Sequence, residues 1–474
     1  MLYSGRLTVV GLVASSTTDA HALFDHTQES PTKSIDDMLK SLCLFNFMLV
    51  VAFGSLTTAL TSATQAQSGL DNFPLLDANS DWPWWRGPSR DGHAASQKTP
   101  TSFSESKNLD WSTKIPGRGH SSPIVVGDRV YLITADETKQ VHSVLAFNRN
   151  DGALVWNREL NRGAFPTKNH PKNTEATPTL ASDGQNLFVS LFHHQAITAM
   201  SLSLTGEKVW EKKLGAYNPT RYEYGYAPSP ILYGDYVIFA YEYDGPSALV
   251  ALRRQDGSEA WRTDRKESIS FSSPVVTNHA GKDYLLISGG DSVAAYDPMT
   301  GNQRWLTPGT TMATCGTMVW DAGIVFASGG YPKAETMALD IATGKSLWKN
   351  SQKAYEQSMM ATGGHLYSLT DSGVAYCWDG KSGKEKWKQR LAGPVSASGV
   401  LVDGKIYWAN EAGQLWIFEA NPNKYVEVSK NQIGDEAFAS PAICGGQVFL
   451  RVAKNNGDQR QEFLMRFSDR NSSQ

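Results

Sequence analysis

The sequence predicts an all-β fold: an eight-bladed β-propeller of four-stranded blades, closed by pairing an N-terminal strand with the C-terminal hairpins. Three observations predict it. A hairpin ending in tryptophan recurs along the chain, a second hairpin precedes each copy, and the last repeat lacks one strand that the N-terminal end supplies.

The recurring unit reads AFNRNDGALVW (146–156), ALRRQDGSEAW (251–261), AYDPMTGNQRW (295–305) and ALDIATGKSLW (338–348), four copies of equal length. AMSLSLTGEKVW (199–210) carries one extra residue and AYCWDGKSGKEKW (375–387) carries two. Each has an apolar alternating start, a DG or TG turn and a second strand ending in Trp, which is the pattern of a β-hairpin. Upstream lies another hairpin, as in SSPIVVGDRVYLI (121–133) and SPILYGDYVIFAY (229–241). Eight such hairpins begin around Pro123, Pro178, Pro230, Pro274, Thr317, Met359, Gly399 and Pro441. Two hairpins make one blade.

Blades one to six close with Trp156, Trp210, Trp261, Trp305, Trp348 and Trp387, and blade seven with a degenerate copy, WIFEANPNKYVEV (416–428). Blade eight has only SPAICGGQVFLRV (440–452) and EFLMRF (462–467), and LDWSTKI (109–115), with Trp111 at the closing position, supplies its missing strand. Pairing the two ends removes an exposed sheet edge. Residues 109–467 thus form one propeller of about 45 residues per blade, with 468–474 as a tail. The closing tryptophans are read as docking residues that fill the gaps between blades, each indole N–H finding a backbone carbonyl. Recurrence at every blade favours packing over ligand stacking.

The repeat A(Y/F/L)DxxTGxxxW after SPVVxGDxVY resembles the tryptophan-docking blades of the PQQ-like, or quinoprotein-type, eight-bladed propellers of exported bacterial proteins. The stretch WPWWRGPSRDG is similar to a segment that precedes the ring in many of them. The resemblance implies either of two functions. Quinone-dependent alcohol and sugar dehydrogenases hold PQQ with calcium in the central channel. Non-enzymatic members, such as the lipoprotein of the outer-membrane β-barrel assembly machinery, bind partners through loops and blade edges. This chain has no adjacent cysteine pair of the alcohol dehydrogenase kind, and no family catalytic residue can be assigned to a position here.

Charge and targeting narrow the setting. The net charge is -3, from 44 basic and 47 acidic residues scattered without long runs, so no nucleic-acid surface is expected. From Met38 the chain carries one Lys, an apolar run over 42–53 and small residues ending near Ala66. That is a signal peptide over 38–66, with 1–37 as an upstream start that is not used, and it places the mature protein in the periplasm or outside the cell. Cys43 lacks the small residues of a lipoprotein cleavage site. Cys315, Cys377 and Cys444 are odd in number and widely spaced, so they read as small buried residues.

Residues three positions before each hairpin's proline, or its equivalent, should face the channel mouth: His120, Glu175, Ala227, Phe271, Thr314, Glu356, Ser396 and Phe438. The candidate binding residues are therefore Arg118, His120, Glu175, Tyr224, Tyr226, Glu356 and Glu436. His193 and His194 are expected on the surface, facing opposite sides. No metal site, no catalytic residue and no cofactor is assigned; PQQ with calcium is the alternative. The irregular leader, residues 67–108, places Trp82, Trp84 and Trp85 among prolines and glycines in DWPWWRGPSRDG (81–92), and its indoles are expected to cover the ring near the seam between blades one and eight. The sequence thus points to a non-catalytic, monomeric scaffold binding protein or glycan in the cell envelope. A quinoprotein oxidoreductase and a glycan-binding propeller, through Tyr217, Tyr222, Tyr224 and Tyr226, are the alternatives.

Overall fold

A computed structural model describes residues 68–469. The expected signal peptide and the segment before it lie outside the described residues. Eight four-stranded antiparallel sheets form the propeller, with no helix among the described residues. Blade one runs Ile124–Val126, Arg129–Asp136, Val141–Asn148 and Leu154–Arg162 from the axis outward. The others repeat this order except blade eight, whose outermost strand is Leu109–Ile115, paired antiparallel with Gln459–Ser468. The ring therefore closes as the sequence predicts.

Burial explains why each strand has its composition. The second and third strands of the blades are covered on both faces and read as near-continuous apolar runs, such as NLFVSLFH at Asn186–His193. The outermost strands are largely exposed and bury residues of one face only, as in KVWEKKLGA at Lys208–Ala216, where Trp210 and Leu214 are buried, because only one face meets the neighbouring blade.

The seven docking indoles each donate to a carbonyl at the outer turn of the next blade: Trp111 to Arg149, Trp156 to Leu204, Trp210 to Arg254, Trp261 to Pro298, Trp305 to Ile341, Trp348 to Gly380 and Trp387 to Asn421, at 2.7–3.2 Å. The turn glycine is part of the same joint. A Cβ on Gly344 would stand 2.6 Å from the Trp305 ring, and its φ of +71° suits glycine in any case.

Between blades seven and eight there is no indole. The position in register with the docking tryptophans is Ser429, opposite Ile417 as Trp387 is opposite Cys377. The leader takes its place. The Ser429 hydroxyl donates to the Thr101 carbonyl, the Tyr407 hydroxyl bonds Thr99 and Pro100, and the Phe103 amide donates to Asn431. Phe103 is buried with its ring 4.8 Å from Phe467.

The rest of the leader lies across one face of the ring and touches every blade. Trp82 pairs through its backbone with Val125 of blade one, and Pro83 accepts from Ser182 of blade two. Gly69 accepts from Gly234 of blade three, Ser68 donates to Asp283 of blade four, and Trp85 donates to Thr317 of blade five. Arg86 donates to the Met359 and Gly399 carbonyls of blades six and seven, and Asn79 accepts from Gly445 of blade eight. The expectation of a single seam is thus corrected. Trp82 sits at the seam of blades one and eight, but Trp84 packs on Phe73 over blades two and three, and Trp85 enters the channel. Gly87 and Gly92 allow this path, because a Cβ would stand 2.5 Å from Trp82 at the first and 2.3 Å from Arg86 at the second.

Candidate functional site

The channel holds a cavity of about 160 Å³ whose floor is Trp85. Just above the floor runs a ring of hydroxyls, one per blade: Ser122, Thr179, Ser229, Ser273, Thr317, Ser358, Ser398 and Ser440. Each lies two residues before its innermost strand. Seven of these hydroxyls accept the backbone N–H of the preceding blade's ring residue at 2.8–3.0 Å. The eighth, Thr317, accepts the Trp85 indole N–H at 2.9 Å.

Two residues further from the floor lies the wall: His120, Thr177, Ala227, Phe271, Cys315, Glu356, Ser396 and Phe438, all of which line the cavity. Six of these were expected. The other two correct the expected register. In blade two, Thr179 rather than Thr177 matches Ser122, so Pro178 sits two places early and the wall residue is Thr177, not Glu175. In blade five Thr317 is itself the ring hydroxyl, so the wall residue is Cys315, not Thr314, which is buried.

The remaining candidates fall away from the cavity. Tyr226 is buried and its hydroxyl donates to Ala240, and Tyr217 is buried against Tyr226 and Tyr243. Of the four tyrosines considered for glycans, only Tyr224 lines the cavity, with Tyr222 beside it, ring centres 5.7 Å apart. Glu175 accepts from Asn169 at 2.8 Å, and burial raises its carboxyl to about 7 against the Asn169 hydrogen bond. Arg118 pairs with Ala135 through its backbone, and Glu436 accepts from Arg460 at 2.7 Å. Arg118, Glu175, Tyr226 and Glu436 are thus structural neighbours of the channel, not its lining. His193 and His194 do not face apart: their Nδ1 atoms lie 2.9 Å from one another, with His193 buried.

Repeat reasoning missed the mouth, because its residues come from unrepeated loops. His170, Lys172 and Asn173 stand on the long connection between blades one and two. Lys172 reaches over the channel to Glu411 of blade seven at 2.7 Å. Burial works against the Lys172 charge, but the Glu411 hydrogen bond and the Glu356 and Glu411 carboxylates outweigh it and raise its ammonium above the usual value. Ser396 lies between two carboxyl groups, in hydrogen-bond contact with Glu356 and at 2.7 Å from Glu411. One hydroxyl proton cannot serve both carboxylates fully. Burial raises the Glu356 carboxyl, which therefore holds a proton more readily than an exposed glutamate. Burial also pushes the Cys315 thiol well up, with Glu356 and Asp371 adding to it, so Cys315 is a neutral thiol rather than a nucleophile. His120 stacks on Phe438 with ring centres 4.4 Å apart, and burial beside Arg118 and Arg451 keeps it neutral.

A family model described as outer membrane protein assembly factor BamB matches residues 98–163, 140–367 and 333–426, more than half of the chain. The chain belongs to this PQQ-like family. Solved structures similar to it include a europium-containing methanol dehydrogenase, at 12% identity and TM-score 0.63, covering 82% of this chain and 98% of that one. BamB from Moraxella catarrhalis is 12% identical with TM-score 0.55, covering 77% and 98%. Quinohemoprotein alcohol dehydrogenase from Comamonas testosteroni is 12% identical with TM-score 0.61, covering 85% and 83%. These likenesses show the propeller fold, and the neighbours include both an assembly factor and dehydrogenases. No curated protein sequence matches the chain.

The resemblance to quinoprotein-type propellers implies a quinone with calcium as the group to fit at this channel. Calcium takes six to eight oxygen ligands. At this cavity Glu356 and Glu411 are both engaged with Ser396, and Glu411 also with Lys172. Among the described residues no three His, Cys, Asp or Glu side chains converge. The side chains do not fit a calcium site.

Proposed function

We propose that this chain is an exported, non-catalytic member of the PQQ-like family, a monomeric binding scaffold of the cell envelope in the periplasm or outside the cell. It engages its partners through loops and blade edges. One observation carries this reading: the carboxyl groups at the channel, where a cofactor's cation would need free oxygen ligands, are already committed to Ser396 and Lys172. The family match supports protein partners. No helix among the described residues is long and apolar enough to cross a membrane.

The test is titration of the purified chain with pyrroloquinoline quinone and calcium, following cofactor absorbance and melting temperature together. Neither is expected to respond. Saturable one-to-one binding with a calcium-dependent rise in melting temperature would replace this reading with that of a quinoprotein oxidoreductase.

A further inference from the structure

We propose that the central cavity is a carbohydrate site that takes one neutral sugar ring, free or at the end of a glycan, over the Trp85 floor. The inference rests on the scaffold reading in one respect: no quinone fills the same space.

Size comes first. A cavity of about 160 Å³ is an order of magnitude larger than the roughly 10–15 Å³ that one water needs, which suits a small molecule of the size of a single sugar ring. The leader closes the channel beneath Trp85, so a ligand enters from the loop face past Tyr224.

Hydrogen bonding then selects the chemistry. Every ring hydroxyl already accepts an N–H, from the backbone or from Trp85. A hydroxyl that accepts still has its own proton to give. None of these protons has a protein acceptor among the hydrogen bonds of the described residues, and six of the eight hydroxyls line the cavity. The buried Nε2 of His120 likewise has no partner. The cavity therefore calls for a ligand rich in oxygen acceptors.

Charge removes the competitors. The one ammonium at the mouth, Lys172, is already paired with Glu411 at 2.7 Å, and the Glu356 and Asp371 carboxyl groups also act on this wall, which disfavours an anion. An ammonium ligand has protons to give and no lone pair to accept those of the hydroxyls. A neutral polyol meets both conditions.

The aromatic faces complete the match. Phe271 and Phe438 stand on blades four and eight, across the channel from each other, each with one face against a neighbouring ring, Tyr224 and His120, and Trp85 lies below. Such faces suit the C–H faces of a sugar ring. Outside the mouth, Tyr224 contacts Tyr222 at 5.7 Å, and Tyr222 contacts the exposed Tyr331 at 5.5 Å, a track on which further sugar units would lie.

The test is calorimetry and ligand-observed NMR on the purified chain. The probes are glucose, galactose, mannose, xylose and N-acetylglucosamine, their linked tetramers, and acetate and choline as charged probes. Saturable one-to-one binding of at least one sugar is expected, weakened about tenfold by Tyr224→Ala with the melting temperature unchanged. If Tyr331→Ala weakens only the tetramer, the ligand is a glycan end; if monomer and tetramer bind alike and Tyr331→Ala changes neither, it is the free sugar. The proposal is overturned if no sugar binds at tens of millimolar. It is equally overturned if binding ignores both Tyr224→Ala and Glu356→Gln, or if acetate or choline takes the cavity instead. Quinone binding in the separate titration would remove the scaffold reading as well, whereas failure of the sugars alone would leave it standing.

Discussion

At seven blade junctions an indole docks on a carbonyl of the next blade's outer turn, while at the eighth, between blades seven and eight, residues 99–103 occupy the indole's place. The reason lies in chain topology. The outer turn of blade eight would join its third and fourth strands, but those strands are the two ends of the ring, so that turn does not exist. Without a turn there is no carbonyl for an indole, and Ser429 stands where tryptophan would. Docking tryptophan and outer turn are thus one device in two parts, and where one part is lost the leader replaces both.

The strongest way to break this comparison is to remove the leader. Phe73, Trp82, Trp84 and Phe103 are all buried. At about 1.5–3 kcal/mol each they contribute roughly 6–12 kcal/mol before the cost of ordering the segment. Whole domains are stable by only about 5–15 kcal/mol. A chain lacking residues 68–103 is therefore expected to melt more than about 10 °C lower in a thermal scan. An unchanged melting temperature would mean that the leader covers the ring without holding it together.

A single regular junction should matter less. Trp305→Ala removes a buried indole and leaves the Ile341 carbonyl unpaired, at about 3–5 kcal/mol by denaturant unfolding. A cost below about 1 kcal/mol would show that the indoles are dispensable one at a time.

The eighth junction gives a change of sign. Ser429→Trp must push aside residues 99–103, so it is expected to destabilise the full chain by about 1–3 kcal/mol. In a chain lacking residues 68–103 the same substitution should be neutral or stabilising. Equal effects in the two chains would separate Ser429 from the leader.

What the sequence makes legible follows the same division. Blade number, strand order and the seven docking tryptophans are readable because hairpin alternation and the DG or TG turn recur with a fixed period. The cavity was only partly readable. His120, Ala227, Phe271, Glu356, Ser396 and Phe438 could be placed by counting back from a proline. Glu175 and Thr314 could not, because in blades two and five the proline is displaced or missing and register must then come from strand pairing. The repeated Ser or Thr of the SP motifs was visible all along, but its role in a hydroxyl ring needs the geometry of adjacent blades. Trp85 belongs to a stretch that stands out, but nothing local tells which of its three indoles enters the channel, and Lys172 and Glu411 reach it from a loop and a turn that no local pattern marks.

The smallest expected effect distinguishes one regular junction from the other six. Between blades one and two the docking bond of Trp156 is 3.2 Å long, and a second link supports it, from His142 Nε2 to the Glu175 backbone carbonyl at 2.9 Å. Both residues titrate unusually. Burial lowers His142 from 6.5 to about 4, so its contribution is present above pH 6.5 and is lost as pH falls toward 4. Burial raises the Glu175 carboxyl from 4.5 to about 7, so its contribution is full below pH 4.5 and is lost as pH rises to 7. Glu175→Gln cannot ionise and should abolish the second loss, flattening the stability profile between pH 5 and 8 by about 1 kcal/mol once partial exposure is allowed for. The acid limb set by His142 should remain. Denaturant unfolding across that range checks it: an unchanged slope would mean that the Glu175 carboxylate stays solvated, and that this junction depends on Trp156 as the other six depend on their own indoles.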